Sequence, residues 1–193
     1  MPSTSPVIYG IDGDDMIVGV SRAWDRFAVA NATRELVFGS MIRRRLWDHI
    51  SDATTVSIYH EVLERVRNGT TITLPLRCDA PTLRRWLKLT ASPMPSGGVR
   101  FVSRTIRQEV RPYLAILDPS LPRSKALLTT CGWCRKFHIH GNAWVEAERA
   151  VREMNLFEQT TLPQLTHGIC PVCVESMLKL ESDELQSQVA AMS

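Results

Sequence analysis

Four cysteines arranged as two pairs are the residues of this sequence that are best suited to chemistry. Cys131-Gly-Trp-Cys134 and Cys170-Pro-Val-Cys173 each place two sulfur atoms on one turn of the chain. Two such turns supply four thiolates, the ligand set that zinc takes in closed tetrahedral structural sites. We therefore predict one Zn²⁺ site with four ligands: Cys131, Cys134, Cys170 and Cys173.

Other interpretations of the four cysteines stay open at this point. Rubredoxin-like iron and iron–sulfur clusters also use Cys-x-x-Cys pairs, so the spacing alone does not identify the metal. A thiol switch that loses zinc on oxidation is a second alternative. Three nearby histidines could replace a thiolate: His138, His140 and His167. We expect them instead to be surface residues or neighbours of the ligands, because four cysteines already fill a tetrahedral site.

The composition places few limits on the class of protein. A hydrophobic content of 44% and a net charge of +3 fit a folded globular chain that is only mildly basic. We see neither a secretory signal at the N-terminus nor an apolar run long enough to cross a bilayer. We therefore expect a cytoplasmic protein without membrane contact, in which reduced cysteines are available to bind metal.

The elements around the cysteine pairs are expected to be helical. Asn142 is expected to cap a helix over residues 143–155, and a second helix should begin near Pro171 and end close to Ser193. The tail has few apolar residues, so we expect metal binding to contribute on the order of 10 kcal/mol to its folding. These signals predict a small C-terminal helical zinc-binding domain over residues 130–193.

The first part of the chain alternates between strand and helix signals. The patterns predict strands over 7–12 and 16–20, helices over 21–31 and 54–67, and strands over 71–76, 83–90 and 99–106. Ser21 is expected to cap the first helix, and Asn68-Gly69 to end the second. Because the connections between strands are tight, we expect an α+β fold with an antiparallel sheet.

This order of elements resembles a PAS domain over about residues 5–110. The resemblance includes Asp12-Gly13-Asp14 in the first turn and the segment Leu46-Trp47-Asp48-His49-Ile50 before the long helix. It implies a PAS-like antiparallel five-stranded sheet with flanking helices, and a role in sensing or dimerisation. We therefore divide the chain into a PAS-like domain over 1–110, a proline-containing linker over 111–129 and the zinc-binding tail.

The tail has a resemblance of its own. The first cysteine pair is followed by Trp-x-Glu-x-Glu from Trp144, by Leu162-Pro and by the second pair. This series is similar to a short segment that accompanies PAS or receiver domains in bacterial sensory proteins. The resemblance implies a signalling context and no particular reaction.

Single residues of the PAS-like domain are weaker candidates. His60 is a candidate haem ligand, because the resemblance places it on the helix that carries the axial histidine in haem-binding PAS sensors; His49 is a less supported alternative. Cys78, next to Arg77, could be a reactive thiol, but lone cysteines are more often buried, and we expect it to pack in the core. It lacks the Asn-Cys-Arg-Phe pattern of flavin-binding PAS photoreceptors.

Two arginine clusters are candidate contacts for nucleic acid or an acidic partner. Arg43, Arg44 and Arg45 form one run, and Arg84 with Arg85 forms the other. Each guanidinium offers a planar fork of donors to phosphate or carboxylate groups. Runs this short usually form a solvated face, so we do not favour nucleic-acid binding.

The sequence shows no nucleophile with its base, no phosphate-binding glycine loop and no His-Glu-x-x-His helix. We therefore predict a non-enzymatic signalling or regulatory module. Its PAS-like domain would sense a ligand or form a homodimer, and its zinc-bound tail would contact a protein partner. The alternatives are a zinc-containing transcriptional regulator that binds DNA, and a thiol redox or haem-based sensor.

Overall fold

The computed structural model describes residues 5–30, 38–50 and 53–177. A first sheet contains five antiparallel strands: β1 (Val7–Ile11), β2 (Ile17–Val20), β3 (Ile72–Arg77), β4 (Leu83–Pro93) and β5 (Val99–Val110). Their order across the sheet is β2-β1-β5-β4-β3. Three helices accompany this sheet: α1 (Arg22–Ala30), α2 (Phe38–Met41) and α3 (Ala53–Arg67). The expected α+β architecture with a five-stranded antiparallel sheet is therefore confirmed.

The turn between β1 and β2 organises the first sheet and its helices. Asp12 Oδ1 accepts hydrogen bonds from the backbone N–H groups of Asp14 and Met16, which fixes the turn. The carboxylate of Asp15 accepts the indole N–H of Trp47 at 2.8 Å and binds Arg67 Nη2 at 2.6 Å. One turn thus holds both the segment before α3 and the end of α3.

Helix α3 has an apolar face that packs against the sheet. Val62, Leu63 and Val66 are buried in one cluster with sheet residues such as Leu89 and Phe101. The helix ends as the sequence predicts, because Gly69 adopts a φ of 100°, a left-handed conformation that glycine tolerates best. We call this cluster the first core.

The C-terminal part contains a second sheet and is not the helical domain that the sequence predicts. Its strands are β6 (Arg123–Cys131), β7 (Phe137–Ile139), β8 (Ala143–Val145) and β9 (Leu162–Gly168), in the order β8-β7-β6-β9. Strands β6 and β9 run parallel, and α4 (Ala147–Glu153) lies between β8 and β9 along the chain. The described part of the tail is therefore a mixed α/β unit.

The prediction of a helix over 143–155 was wrong for residues 143–146. Residues 143–145 form β8, which pairs with β7, and Glu146 rather than Asn142 precedes the helix. Asn142 has a φ of 60° in the turn between the two strands. Trp144 pairs with His138 across the strands and their rings stack at 5.0 Å. This cross-strand pairing outweighs the helical spacing of the apolar residues.

The predicted linker over 111–129 was also wrong. Strand β6 begins at Arg123, and the guanidinium of Arg123 donates to the carbonyls of Ile116 and Asp118. Apolar residues from this stretch enter a second core, whose buried members are Leu114, Ile116, Leu117, Leu128, Phe137, Ile139, Val145, Ala147, Ala150, Val151, Leu156 and Leu162. The prolines interrupt regular structure locally, but they do not prevent burial of the side chains between them.

The end of the chain is described only in part. Residues 171–177 are helical, in agreement with a helix that begins near Pro171, and the rest of that predicted helix lies outside the described residues. None of the helices in the described ranges is both long and apolar enough to cross a bilayer.

The first core predicts a large loss of stability for Phe101→Ala. Phe101 is fully buried and its ring stacks on Tyr9 at 4.5 Å, so we expect the free energy of unfolding to fall by about 3–5 kcal/mol. Urea denaturation measures this change. Val18→Ala is the matched control, because Val18 is 49% exposed on the same sheet. Equal losses in the two variants would contradict this description of the core.

Candidate metal centre

The parallel pairing of β6 and β9 brings the two cysteine pairs together. Cys131, the last residue of β6, is the register partner of Gly168, the last residue of β9. Parallel strands that end side by side deliver the residues after them to the same edge of the sheet. The first pair lies in the turn that follows β6, and Cys170 follows β9 by two residues.

Each cysteine pair lies on a different kind of turn. The first turn joins β6 to β7, with Cys131 N–H donating to the Lys136 carbonyl at 2.7 Å and Arg135 at a φ of 60°. The second is the start of the helical residues 171–177, where Cys173 N–H donates to the Cys170 carbonyl at 2.9 Å. Gly132 N–H donates to the Gly168 carbonyl at 2.9 Å and links the two turns.

The four sulfur atoms have the spacing of a metal site. They all lie within 4.8 Å of one another, and Cys134 Sγ and Cys170 Sγ are 3.6 Å apart. A tetrahedral zinc ion with four bonds of about 2.3 Å requires sulfur separations of about 3.8 Å. Soft thiolates select zinc, copper(I) or iron–sulfur centres over hard cations. The cluster can therefore hold a thiophilic metal ion, and the spacing does not identify which one.

The pKa values within the cluster shift in opposite directions. Hydrogen bonds from Cys134 and Cys173 lower the pKa of Cys131 far below its usual range. The hydrogen bond to Cys131 raises the pKa of Cys134 to about 12, and hydrogen bonds to Cys131 and Cys134 raise that of Cys173 strongly. These directions correspond to one thiolate at Cys131 beside protonated Cys134 and Cys173, because several negative charges at this distance repel one another.

The metal centre belongs to the first core and not to the second. Cys131 and Cys170 are buried in the same cluster as Val66 and Phe101, and Trp133 joins that cluster between the first two cysteines. The rings of Trp133 and Tyr59 of α3 meet edge to face at 5.8 Å. The cysteine turns therefore pack directly on the five-stranded domain.

The first cysteine turn also covers the edge of the five-stranded sheet. The backbone N–H of Arg77, at the end of edge strand β3, donates to the Trp133 carbonyl at 2.8 Å. An uncovered edge strand offers unpaired backbone groups to other chains. This hydrogen bond gives one of those groups a partner next to the metal ligands.

A partly buried charge network connects the same two parts of the chain. Asp79, with a side chain only 1% exposed, binds Arg77 at 2.5 Å and Arg111 at 3.3 Å. Glu146 binds Arg77 at 2.8 Å, and Glu148 binds Arg84 at 2.9 Å and Arg111 at 3.4 Å. Three arginines and three carboxylates thus balance in charge across the contact between the sheets.

Sequence reasoning missed this network, although one signal for it was present. The motif Trp-x-Glu-x-Glu supplies Glu146 and Glu148, and both bind arginines of the first sheet. The arginine pair, expected to be a solvated face, is instead engaged: Arg84 binds these carboxylates, and Arg85 lies over the Phe27 ring at 5.2 Å. Alternating acidic residues after an aromatic residue thus marked a contact within the chain.

The histidines near the cysteines do not enter the described cluster. His138 stacks on Trp144 and hydrogen-bonds Asn142 at 2.9 Å, while His140 and His167 are exposed. The fifth cysteine, Cys78, is half-buried rather than fully packed in the core, and its carbonyl accepts a hydrogen bond from Arg85 Nε.

The other sequence candidates lie away from the metal centre. His60 is exposed and stacks on Trp47 at 4.0 Å, outside the buried face of α3, so its position gives no support to haem ligation. His49 is exposed as well. Arg43, Arg44 and Arg45 have exposed side chains, and the structure does not bring them to the cysteines or to the charge network. Nucleic-acid contact by this run stays a prediction.

A small apolar pocket lies in the second core, apart from the four cysteines and the charge network. Its volume is about 230 Å³, and Leu121, Val151 and Phe157 are among its lining residues. Sites for small molecules usually enclose about 300–1,000 Å³. The pocket is therefore small for a cofactor, and the cysteine cluster is the stronger candidate site.

The charge network predicts that Asp79→Asn is strongly destabilising. The substitution keeps the shape of the side chain but leaves the buried guanidinium groups one negative charge short, so the free energy of unfolding should fall by about 3 kcal/mol. Glu153→Gln is the control, because Glu153 forms an exposed pair with Arg149 on α4. Urea denaturation compares the two variants, and similar small losses would show that the network contributes little.

Comparisons with known proteins give a distant structural similarity. No protein-family model matches the sequence, and no curated protein is significantly similar to it. Among solved structures, the chain is similar to a domain of the sensory box sensor histidine kinase/response regulator from Geobacter sulfurreducens. The sequences are 15% identical, the TM-score is 0.33, and the similarity covers 51% of this chain and 82% of that domain. Values this low carry no argument about function, which has to be inferred from the chain's own residues.

Proposed function

We propose that this protein is a non-enzymatic cytoplasmic signalling module, with a PAS-like domain and a C-terminal unit held to it by zinc. In this proposal the PAS-like domain senses a ligand or forms a homodimer, and the C-terminal unit contacts a protein partner. The observation that carries the proposal is the position of the cysteine cluster, which lies in the same core as the five-stranded sheet.

A shared core supports signalling because it couples two parts of the chain. A ligand or partner shifts an equilibrium only by its difference in affinity for two states. Tyr59 of α3 touches Trp133, and Arg77 of β3 binds the Trp133 carbonyl. A movement of α3 or β3 therefore changes the surroundings of the metal ligands, and the C-terminal unit moves with them.

Zinc suits this role better than iron. It has no redox chemistry of its own and takes four thiolates in a closed tetrahedron, so it fixes two turns without adding reactivity. The burial of Cys131 and Cys170 supports a closed site. When bound, the ion supplies charge neutralisation and four bonds; the orientation of the ligands comes from β6, β9 and their turns.

The zinc assignment is tested by elemental analysis and absorption spectroscopy of protein purified without added metal. We expect one zinc per chain and no visible colour, since zinc has a filled d shell. Cys131→Ser and Cys173→Ser should lose the metal. Cys78→Ser is the matched control and should keep it, because Cys78 lies outside the cluster. Iron, or a Soret band, would overturn the proposal in favour of redox or haem-based sensing.

The coupling is tested by hydrogen exchange before and after chelation of the metal. Without metal, the four thiolates lose the ion that they share, and the turn that contains Trp133 is held less firmly. Exchange of the Arg77 amide should then become faster, because its hydrogen-bond acceptor is the Trp133 carbonyl. Amides that pair β7 with β8 should keep their protection, because the second core does not contain the cysteines. Loss of amide protection in both regions together would show that the metal stabilises the entire C-terminal unit, as the sequence alone suggested.

A further inference from the structure

The outer face of the five-stranded sheet carries a cluster of basic side chains. Inward residues of β4 and β5, such as Leu89 and Phe101, lie in the first core, and alternate residues point to the opposite side. Three exposed cations lie on that opposite side by this alternation: Lys88, Arg100 and Arg104. Exposed Arg107 joins them because the register irregularity between Trp86 and Leu87 makes it the partner of Trp86, an outward residue of β4. We call these four residues the basic face.

Two cations of the basic face lie directly opposite each other. Lys88 of β4 is the register partner of Arg104 of β5. Side chains at such positions have Cβ atoms about 5 Å apart, and like charges there destabilise a sheet. Within the described ranges, neither side chain takes part in an ion pair or a hydrogen bond. The sheet therefore contains an unfavourable pair that its own described residues do not compensate.

The nearby acidic side chains are already engaged. Glu109 is the acidic residue among the outward positions of β3, β4 and β5, and it pairs with Arg107. Glu146 and Glu148 bind arginines of the charge network. The basic face thus keeps an excess of positive charge, and an anionic partner would supply the missing counter-charge.

The surroundings of Trp86 favour a carboxylate-bearing protein over a nucleic acid as the anionic partner. Trp86 lies in β4 beside the basic face, and the guanidinium of Arg107 lies over its ring at 4.6 Å. Arg77 and Arg84 lie at 6.0 and 5.9 Å from the same ring. Proteins that bind single-stranded nucleic acid stack bases on free aromatic faces. The indole here is already surrounded by guanidinium groups.

The geometry points to the basic face as a docking site for an acidic, extended segment of a protein partner. Alternate residues of a strand are about 6.6 Å apart, and Arg100 and Arg104 are two such steps apart on β5. Acidic residues at every second position of an extended segment therefore include one that can lie opposite each of these arginines. This inference rests on the proposed function, because it names the chemistry of the partner in signalling. The like-charge pair of Lys88 and Arg104 then lowers the stability of the free protein and favours binding of the acidic segment.

The test uses a substitution with opposite effects on binding and stability. Arg104→Glu converts the like-charge pair into an opposite-charge pair, so the thermal midpoint should rise. The affinity for an acidic peptide should fall by about tenfold or more. The binding probe is a fluorescein-labelled peptide with glutamate at every second position, followed by fluorescence anisotropy with the full zinc-loaded chain. Lys88→Glu reverses the other charge of the pair and should behave in the same way.

Arg44→Glu is the matched control, because it reverses one exposed charge away from the basic face. It should change the peptide affinity by less than about twofold, since separated surface charges are screened by salt. Equal losses of peptide affinity in Arg44→Glu and Arg104→Glu would show that net charge alone explains the effect, and would overturn the inference. Absence of peptide binding to the unsubstituted chain would overturn it as well.

Two further measurements identify a different occupant. If an oligothymidylate of similar charge binds more tightly than the peptide and Arg104→Glu abolishes that binding, the ligand is nucleic acid and the inference is wrong. If the chain self-associates in sedimentation experiments and Arg104→Glu prevents it, the occupant is a second copy. The metal content of every variant is measured separately, so a failure of the zinc proposal is seen as missing metal and not as altered peptide affinity.

Discussion

Four sulfur atoms confined within 4.8 Å impose the constraint on which the contact between the two sheets depends. Thiolates at this distance repel one another, and the raised pKa of Cys134 and the lowered pKa of Cys131 show that the protein alone stabilises an uneven distribution of protons. A divalent cation removes that repulsion and binds all four groups at once. Because Cys131 and Cys170 lie in the first core, an ion bound there would contribute to packing between the two sheets.

Two other interactions hold the same contact and differ in character. The hydrogen bond from Arg77 to the Trp133 carbonyl covers part of the sheet edge next to the metal ligands. The network around Asp79 places three arginines against three carboxylates, of which Asp79 is buried and Glu146 and Glu148 are partly exposed. Such pairs contribute little net stability while they disfavour other arrangements. In the proposed zinc-bound protein, the metal would attach the C-terminal unit and the charges would select its orientation.

The five-stranded sheet has two faces with different roles. Its inner face is covered by helices and by the cysteine turns, so it carries the coupling between the sheet and the metal centre. Its outer face carries cations, two of which oppose each other without compensation. A segment bound to the outer face of β4 and β5 would contact the strands whose inward residues form the first core. In the proposed function, the binding of a partner would thus be linked to the cysteine cluster through a single layer of sheet.

The sequence by itself indicated the four clustered cysteines, the five antiparallel strands and the end of α3 at Gly69. These features follow from local patterns: cysteine spacing, alternation of apolar residues and residues suited to turns. Only the tertiary structure decided that residues 143–145 form a strand, that residues 111–129 enter a core and that Glu146 and Glu148 meet arginines distant in sequence. The physical reason is that cross-strand pairing, burial and ion pairing depend on neighbours in space, and local spacing along the chain does not record which neighbours those are.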